Sequence, residues 1–153
     1  MTTPPNLTVM SSLQPKHSLC ILHLEDSIPD RELVQELFRA EGLACDLPSV
    51  DTRPAFEAAL AQGKFDVILS DYSLPGFDGM TALALAQQSK PTVPFIFISG
   101  VMGEERAIET LKNGATDYVL KQRIERLVPS VRRALREVVE REQLRETERR
   151  LRQ

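Results

Sequence analysis

No apolar run in this sequence approaches the length of a bilayer span, so nothing in it reads as a transmembrane helix. The opening stretch, MTTPPNLTVMSSLQPK, lacks both a basic start and an apolar segment and is not a secretory signal. Its Pro, Ser and Thr content is that of a disordered leader over residues 1–16. There is no excess of charge: the net value of −3 gives no electrostatic case for nucleic acid or an acidic membrane. Cysteine is scarce. Cys20 and Cys45 have no CxxC spacing, which argues against a metal knuckle or a disulfide framework. Two buried thiols in a reducing compartment, the cytoplasm, are expected instead. No internal repeat or low-complexity segment interrupts the chain.

What is present is alternation. Residues 18–24 (SLCILHL) read as a strand ending in Glu25-Asp26. Ser27 and Pro29 then suit a helix start, with Leu33, Val34, Leu37 and Phe38 as its apolar stripe and Gly42 as its stop. Residues 44–50 form a weaker strand, and Pro48 places it at a sheet edge. Thr52 caps a second helix carrying Phe56, Ala59 and Leu60. The apolar run 65–70 (FDVILS) is short enough for a strand buried on both faces and stops at Asp71. An Ala/Leu helix over 80–88 follows, then a strand over 95–98 (FIFI) that ends in Ser99-Gly100. A helix over 104–113 should turn Ala107, Ile108 and Leu111 inward. Residues 117–120 (DYVL) form a fifth strand, with Lys121 directly after it, and a last helix begins near 124 or 125. Five strand–helix alternations predict a doubly wound α/β domain, helices on both faces of a parallel sheet.

Four of the five strands end in a polar group: Glu25-Asp26, Asp71, Ser99 and Lys121. The flavodoxin-like (βα)5 order 2-1-3-4-5 makes the first and third strands neighbours, so the acids meet at one crevice at the carboxyl edge. At about 5 Å and an effective dielectric near 20, each carboxylate pair repels by roughly 3 kcal/mol. Protonation or a bound cation relieves this, and hard oxygen ligands with few protein donors suit Mg2+. An acid nucleophile, a divalent cation, an ammonium and a hydroxyl are the parts of phosphoryl transfer.

With DYSLPGFDG around Asp71 and NGATDYVLK before and at Lys121, residues 18–139 resemble the receiver domains of two-component response regulators. The resemblance implies that Asp71 is a phosphoacceptor served by a histidine kinase or a phosphotransfer protein. It implies that Mg2+ is held by Asp26, Asp71 and the backbone carbonyl of Ser73, with Glu25 acting through water. It gives Ser99 and Lys121 to the phosphoryl oxygens. Ser99 and Tyr118 become a switch that alters the face of the fourth helix, fifth strand and fifth helix. Such a module is a signalling phosphoacceptor rather than an enzyme. Three departures stand out. Gln122 replaces the usual Pro after the lysine, so a trans bond is expected there. Gly100 replaces the usual Ala. Ser73 and Val101 flank the pocket and neither is a base toward water, so slow self-dephosphorylation is expected.

Simpler readings stand beside these. Glu25 or Asp26 alone could merely favour a helix N-terminus, Tyr118 could be a packing residue, and Lys121 alone would be an ordinary surface lysine. His17 and His23 lack a kinase-type histidine motif; His23 falls within a strand run and reads as structural or incidental. An aspartyl-phosphate phosphatase would want a second Asp two positions after the nucleophile, where Ser73 stands. A protein-interaction module independent of phosphorylation is the other alternative. A flavin site would need a Ser/Thr/Gly-rich cradle after the first strand, which is missing.

The segment from residue 125 onward reads as one helix, with Leu127, Val131, Leu135, Val138 and Val139 covering the sheet. Nine of the fourteen residues over 140–153 are charged, with Glu137–Arg141, Glu146–Arg150 and Glu148–Arg152 as supporting pairs. The expected division is a domain over 17–139 and a helical linker over 140–153, the front of a longer signalling protein. Leu144 and Leu151, one heptad apart, are the only seam a homodimer through this helix could use. Arg and Glu nearly balance here, so the tail is no DNA-binding arm.

Overall fold

The computed structural model describes residues 18–100 and 103–152. The expectations for the 1–16 leader, His17 and Val101 lie outside the described residues. In chain order the elements are β1 (Leu19–Leu24), α1 (Ile28–Ala40), β2 (Cys45–Asp46), β3 (Ser49–Val50), α2 (Arg53–Gln62), β4 (Val67–Asp71), α3 (Gly79–Ser89), β5 (Phe95–Ser99), α4 (Glu104–Lys112), β6 (Asp117–Leu120), a 3-10 turn (Lys121–Arg126) and α5 (Leu127–Leu151).

The sheet is parallel throughout, in the order β2-β1-β4-β5-β6, with β3 also pairing β1. This is the expected 2-1-3-4-5 order with its second strand broken in two. Pro48 lies in the break, and its carbonyl accepts from the His23 N–H at 2.8 Å. A proline at that point removes one ladder donor, and an edge strand tolerates the loss.

Every residue of β4 and β5 is buried. One core layer lies between the sheet and α1 with α5: Ile21, Leu69, Ile98 and Val119 meet Val34, Phe38, Leu127 and Val131. The other lies between the sheet and α2 with α3: Leu22, Ile68 and Phe97 meet Phe56, Leu60 and Leu83. Helix starts follow the sequence signals. Ser27 Oγ accepts from Asp30 N at 3.3 Å and Thr52 Oγ1 from Ala55 N at 3.2 Å. Gly42, past the end of α1, sits at φ 73°, a left-handed conformation that favours glycine.

Several expectations shift. Leu33, Ile108 and Leu111 are 48%, 46% and 40% exposed rather than inward. The buried stripes are narrower, Val34 and Phe38 on α1 and Ala107 with Thr110 on α4, and the exposed three lie one helical step, about 100°, away toward solvent. The last helix starts at Leu127 because the 3-10 turn intervenes, with Arg123 in a non-helical conformation. Val139 is 44% exposed, so cover of the sheet fades after Ala134 and the half-buried Leu135 and Val138. Cys20 and Cys45 are free but half-buried rather than buried. Burial, then the neighbouring Asp46 charge, pushes the Cys45 thiol up to about 11. No peptide bond among the described residues is cis, as expected at Gln122. No helix among them is long and apolar enough to cross a membrane.

His23 is fully buried in β1, and neither ring nitrogen has a hydrogen-bond partner among the described residues. Burial, aided by the positive charges of Arg31 and Lys121, lowers its pKa from 6.5 to about 4. Between those values the unfolded chain binds a proton that the folded protein refuses. Stability therefore falls as pH drops through that window, by roughly 3 kcal/mol for this group. In His23→Leu, urea midpoints should decline less between pH 6.5 and 4 than in wild type; parallel declines would refute this.

Candidate functional site

The register of three strands brings the polar strand ends together. β1 pairs with β4 through Leu24 and Ser70, and β4 pairs with β5 through Asp71 and Ile98. Glu25 and Asp26 therefore follow β1 beside Asp71, while Ser99 closes the adjacent strand. Carboxylate oxygens of Glu25, Asp26 and Asp71 all lie within 4.8 Å of one another. That spacing matches the crevice expected from the sheet order.

Each acid is held differently. Glu25 is 1% exposed; its Oε1 accepts from Ser27 N at 3.0 Å and its carbonyl from Arg31 Nε at 2.7 Å. Burial raises its pKa against the Ser27 hydrogen bond, and the Asp71 charge adds to the rise. Asp71 is 8% exposed; its Oδ1 accepts from Ser73 N at 3.3 Å, and its carbonyl accepts from Ser70 Oγ at 2.8 Å. Asp26 is exposed and leaves the cluster open to solvent on one side.

The counter-charge is Lys121. Its Nζ lies 2.7 Å from Asp30 Oδ2, 3.5 Å from Asp71 Oδ2 and 3.6 Å from Glu25 Oε2. Burial pulls the lysine's pKa down, but the Asp30 hydrogen bond and the charges of Asp71 and Glu25 outweigh it, so the net shift is upward. The ammonium is therefore charged throughout the ordinary pH range.

Two contributors escaped the sequence reading. Asp30 makes the shortest contact to Lys121, and Arg31 bonds the Glu25 carbonyl and lies 3.6 Å from Asp51 Oδ2. Both sit in the first turns of α1, just after the acidic pair. An Asp-Arg step one turn past an acidic strand end was the available signal. Ser99 is 4% exposed at the end of β5. Tyr118 is half-buried and packs with the α2 and α3 layer.

The β4–α3 turn is pressed tightly onto the site. A Cβ placed on Gly79 would lie 3.1 Å from the Asp71 carbonyl, 3.0 Å from that of Tyr72 and 2.6 Å from the Phe97 ring. Asp78 caps α3 by accepting from Thr81 N at 2.7 Å.

The family model for the response regulator receiver domain matches residues 21–132. The chain belongs to this family. This receiver domain is 36% identical over 120 residues to the transcriptional regulatory protein BasR of Escherichia coli, covering 76% of this chain and 52% of BasR. It is 30% identical over 101 residues to the response regulator protein FleR of Pseudomonas aeruginosa, covering 66% of this chain and 21% of FleR. It is 35% identical over 103 residues to a protein-glutamate methylesterase/protein-glutamine glutaminase of Archaeoglobus fulgidus, covering 66% of this chain and 29% of that enzyme. The receiver domain thus spans about a fifth to a half of these relatives. Among solved structures, the signal receiver domain of a Vibrio parahaemolyticus protein related to the Luxo repressor superposes with a TM-score of 0.75. It is 22% identical and covers 84% of this chain and 98% of that one. That similarity bears on the fold.

Glu25, Asp71 and Asp30 share one ammonium, and Asp26 lies beside the first two, so the cluster carries excess negative charge. Asp71→Asn keeps the side chain's shape and removes one charge from it. In chelator-treated buffer near neutral pH the variant should be more stable than wild type by about 1 kcal/mol, read from urea midpoints. A lower midpoint for the variant would mean that the Lys121 ion pair, not repulsion, dominates at Asp71.

Proposed function

We propose that this receiver domain is a phosphoacceptor in which Asp71 takes a phosphoryl group from a partner histidine kinase or phosphotransfer protein in a Mg2+-dependent reaction. The observation that carries the reading is the convergence of Glu25, Asp26, Asp71 and Lys121 at one sheet edge.

The donor set fits a hard divalent cation: carboxylate oxygens within 4.8 Å of one another, with exposed Asp26 facing solvent. Asp26, Asp71 and the Ser73 carbonyl would hold Mg2+, with Glu25 behind through water. Bound there, the ion would neutralise charge on the phosphoryl oxygens.

The remaining work falls to the chain's own groups. An Asp71 oxygen attacks phosphorus; the O–P bond forms as the donor's P–N bond breaks. The electron pair returns to the donor imidazole, which is reprotonated from solvent. Ser73 N–H, already aimed at Asp71 Oδ1, orients the carboxylate. Lys121 turns an N–H toward the new phosphoryl oxygens, and Ser99 offers its hydroxyl. Movement of Ser99 then lets Tyr118 rotate and changes the α4–β6–α5 face.

Residues 17–139 form the receiver unit of a cytoplasmic signalling protein, and the last part of α5, from residue 140 to its end at Leu151, serves as a helical linker within the 140–153 segment. At about 1.5 Å per residue the 25-residue helix is roughly 37 Å long, beyond the body it covers. The pairs Glu137–Arg141 and Glu146–Arg150 close at 3.9 and 2.9 Å, while among the described residues no ion pair joins Glu148 to Arg152. Leu144 and Leu151 are 60% and 80% exposed and offer a narrow seam for a second copy.

Incubation with Mg2+ and a small acyl phosphate should add one phosphoryl mass to wild type and none to Asp71→Asn. The adduct should decay over minutes or longer, since Ser73 supplies no base toward water; loss within seconds would contradict that part. Sustained turnover of a phosphate ester would favour a phosphatase. Complete inertness, with beryllofluoride also ignored, would favour a phosphorylation-independent interaction module. For the tail, the solution mass should fall from dimer to monomer when residues 140–153 are removed. An unchanged mass would exclude the seam.

A further inference from the structure

The closest partner of Lys121 is not the proposed phosphoacceptor. Asp30 Oδ2 lies 2.7 Å from Nζ, while Asp71 and Glu25 stand at 3.5 and 3.6 Å. Asp30 comes from the first turn of α1, where its backbone N–H is fixed by the Ser27 cap. Its carboxylate is not part of the group formed by Glu25, Asp26 and Asp71 among the described residues. It is about one third exposed. A charge-assisted hydrogen bond of this length is directional, whereas contacts near 3.5 Å are mainly Coulombic.

We infer that Asp30 is a positioning residue that holds the Lys121 ammonium in the unphosphorylated protein and competes with the phosphoryl group for it. This rests on the phosphoacceptor reading above. A phosphoryl group on Asp71 brings new anionic oxygens that compete with Asp30 for the position of this ammonium, whose shortest contact is with Asp30. Asp30 thereby opposes the phosphorylated state and favours its loss. Removal of the carboxylate's charge frees the lysine and stabilises the phosphoryl-bound form. The pair is partly exposed and screened, so the effect is modest, about two- to fivefold.

Beryllofluoride with saturating Mg2+ is the probe, its binding followed by fluorine NMR titration on the full chain. Asp30→Asn should bind it about two- to fivefold more tightly than wild type. Glu32→Gln, which removes the same charge from an exposed site on the same helix, should bind as wild type does. A purely structural role for Asp30 would weaken binding, because a destabilised site binds less. Equal or weaker binding by Asp30→Asn overturns the competition, and so does equal tightening by Glu32→Gln, which would reduce it to bulk charge. A wild type that ignores beryllofluoride overturns the phosphoacceptor reading and this inference together; a wild type that binds it while Asp30→Asn gains nothing overturns this inference alone.

Discussion

Repulsion among carboxylates at one sheet edge is the constraint around which this receiver domain is arranged. Glu25, Asp26 and Asp71 present oxygens within 4.8 Å of one another, and two of the three are almost excluded from solvent. Such a cluster persists only because other groups oppose it. Backbone N–H groups of Ser27 and Ser73 each donate to a carboxylate oxygen, and one ammonium, Lys121, sits against three acids. Burial first, and then the Asp71 charge, raise the pKa of Glu25. A site held in that condition gains from any cation or polarised ligand that enters it, and that is the physical basis for binding.

The constraint depends on a scaffold that does not yield. β4 and β5 are buried along their whole lengths, with a packed layer on each face. Their ladders fix Asp71 against the end of β1, and the tight β4–α3 turn leaves no room for a side chain at Gly79. Arg31 ties the residue after β1 down by bonding the Glu25 carbonyl and pairing with Asp51. Asp71 and Ser99 end rigid strands, and Glu25, Asp26 and Lys121 directly follow two others, so strand register sets how these groups meet.

Membership of the receiver family and the span of the match have different consequences. The family fixes the kind of domain. The relatives it matches are longer, and this chain covers about a fifth to a half of each. Transcriptional regulators and a methylesterase stand among them, so one receiver architecture accompanies unlike outputs. The far end of α5 is highly charged, exposed and carries few apolar residues.

Composition, periodicity and punctuation determined much by themselves. The strand–helix alternation, the Ser27 and Thr52 caps, the edge position of the strand carrying Pro48 and the acids at strand ends are all local signals, and local chemistry writes them directly. Which apolar residues face inward was less legible: Leu33, Ile108 and Leu111 sit one helical step from the buried stripe, and only the packing partner sets the stripe's width. The Asp30–Lys121 contact joins residues 91 positions apart. No spacing rule announces it, because side chains meet there only after α1 and the turn following β6 have docked on the same end of the sheet. Sequence chose the chemical groups; the folded sheet decided which acid holds the lysine, since distance through space is a property of packing and not of order along the chain.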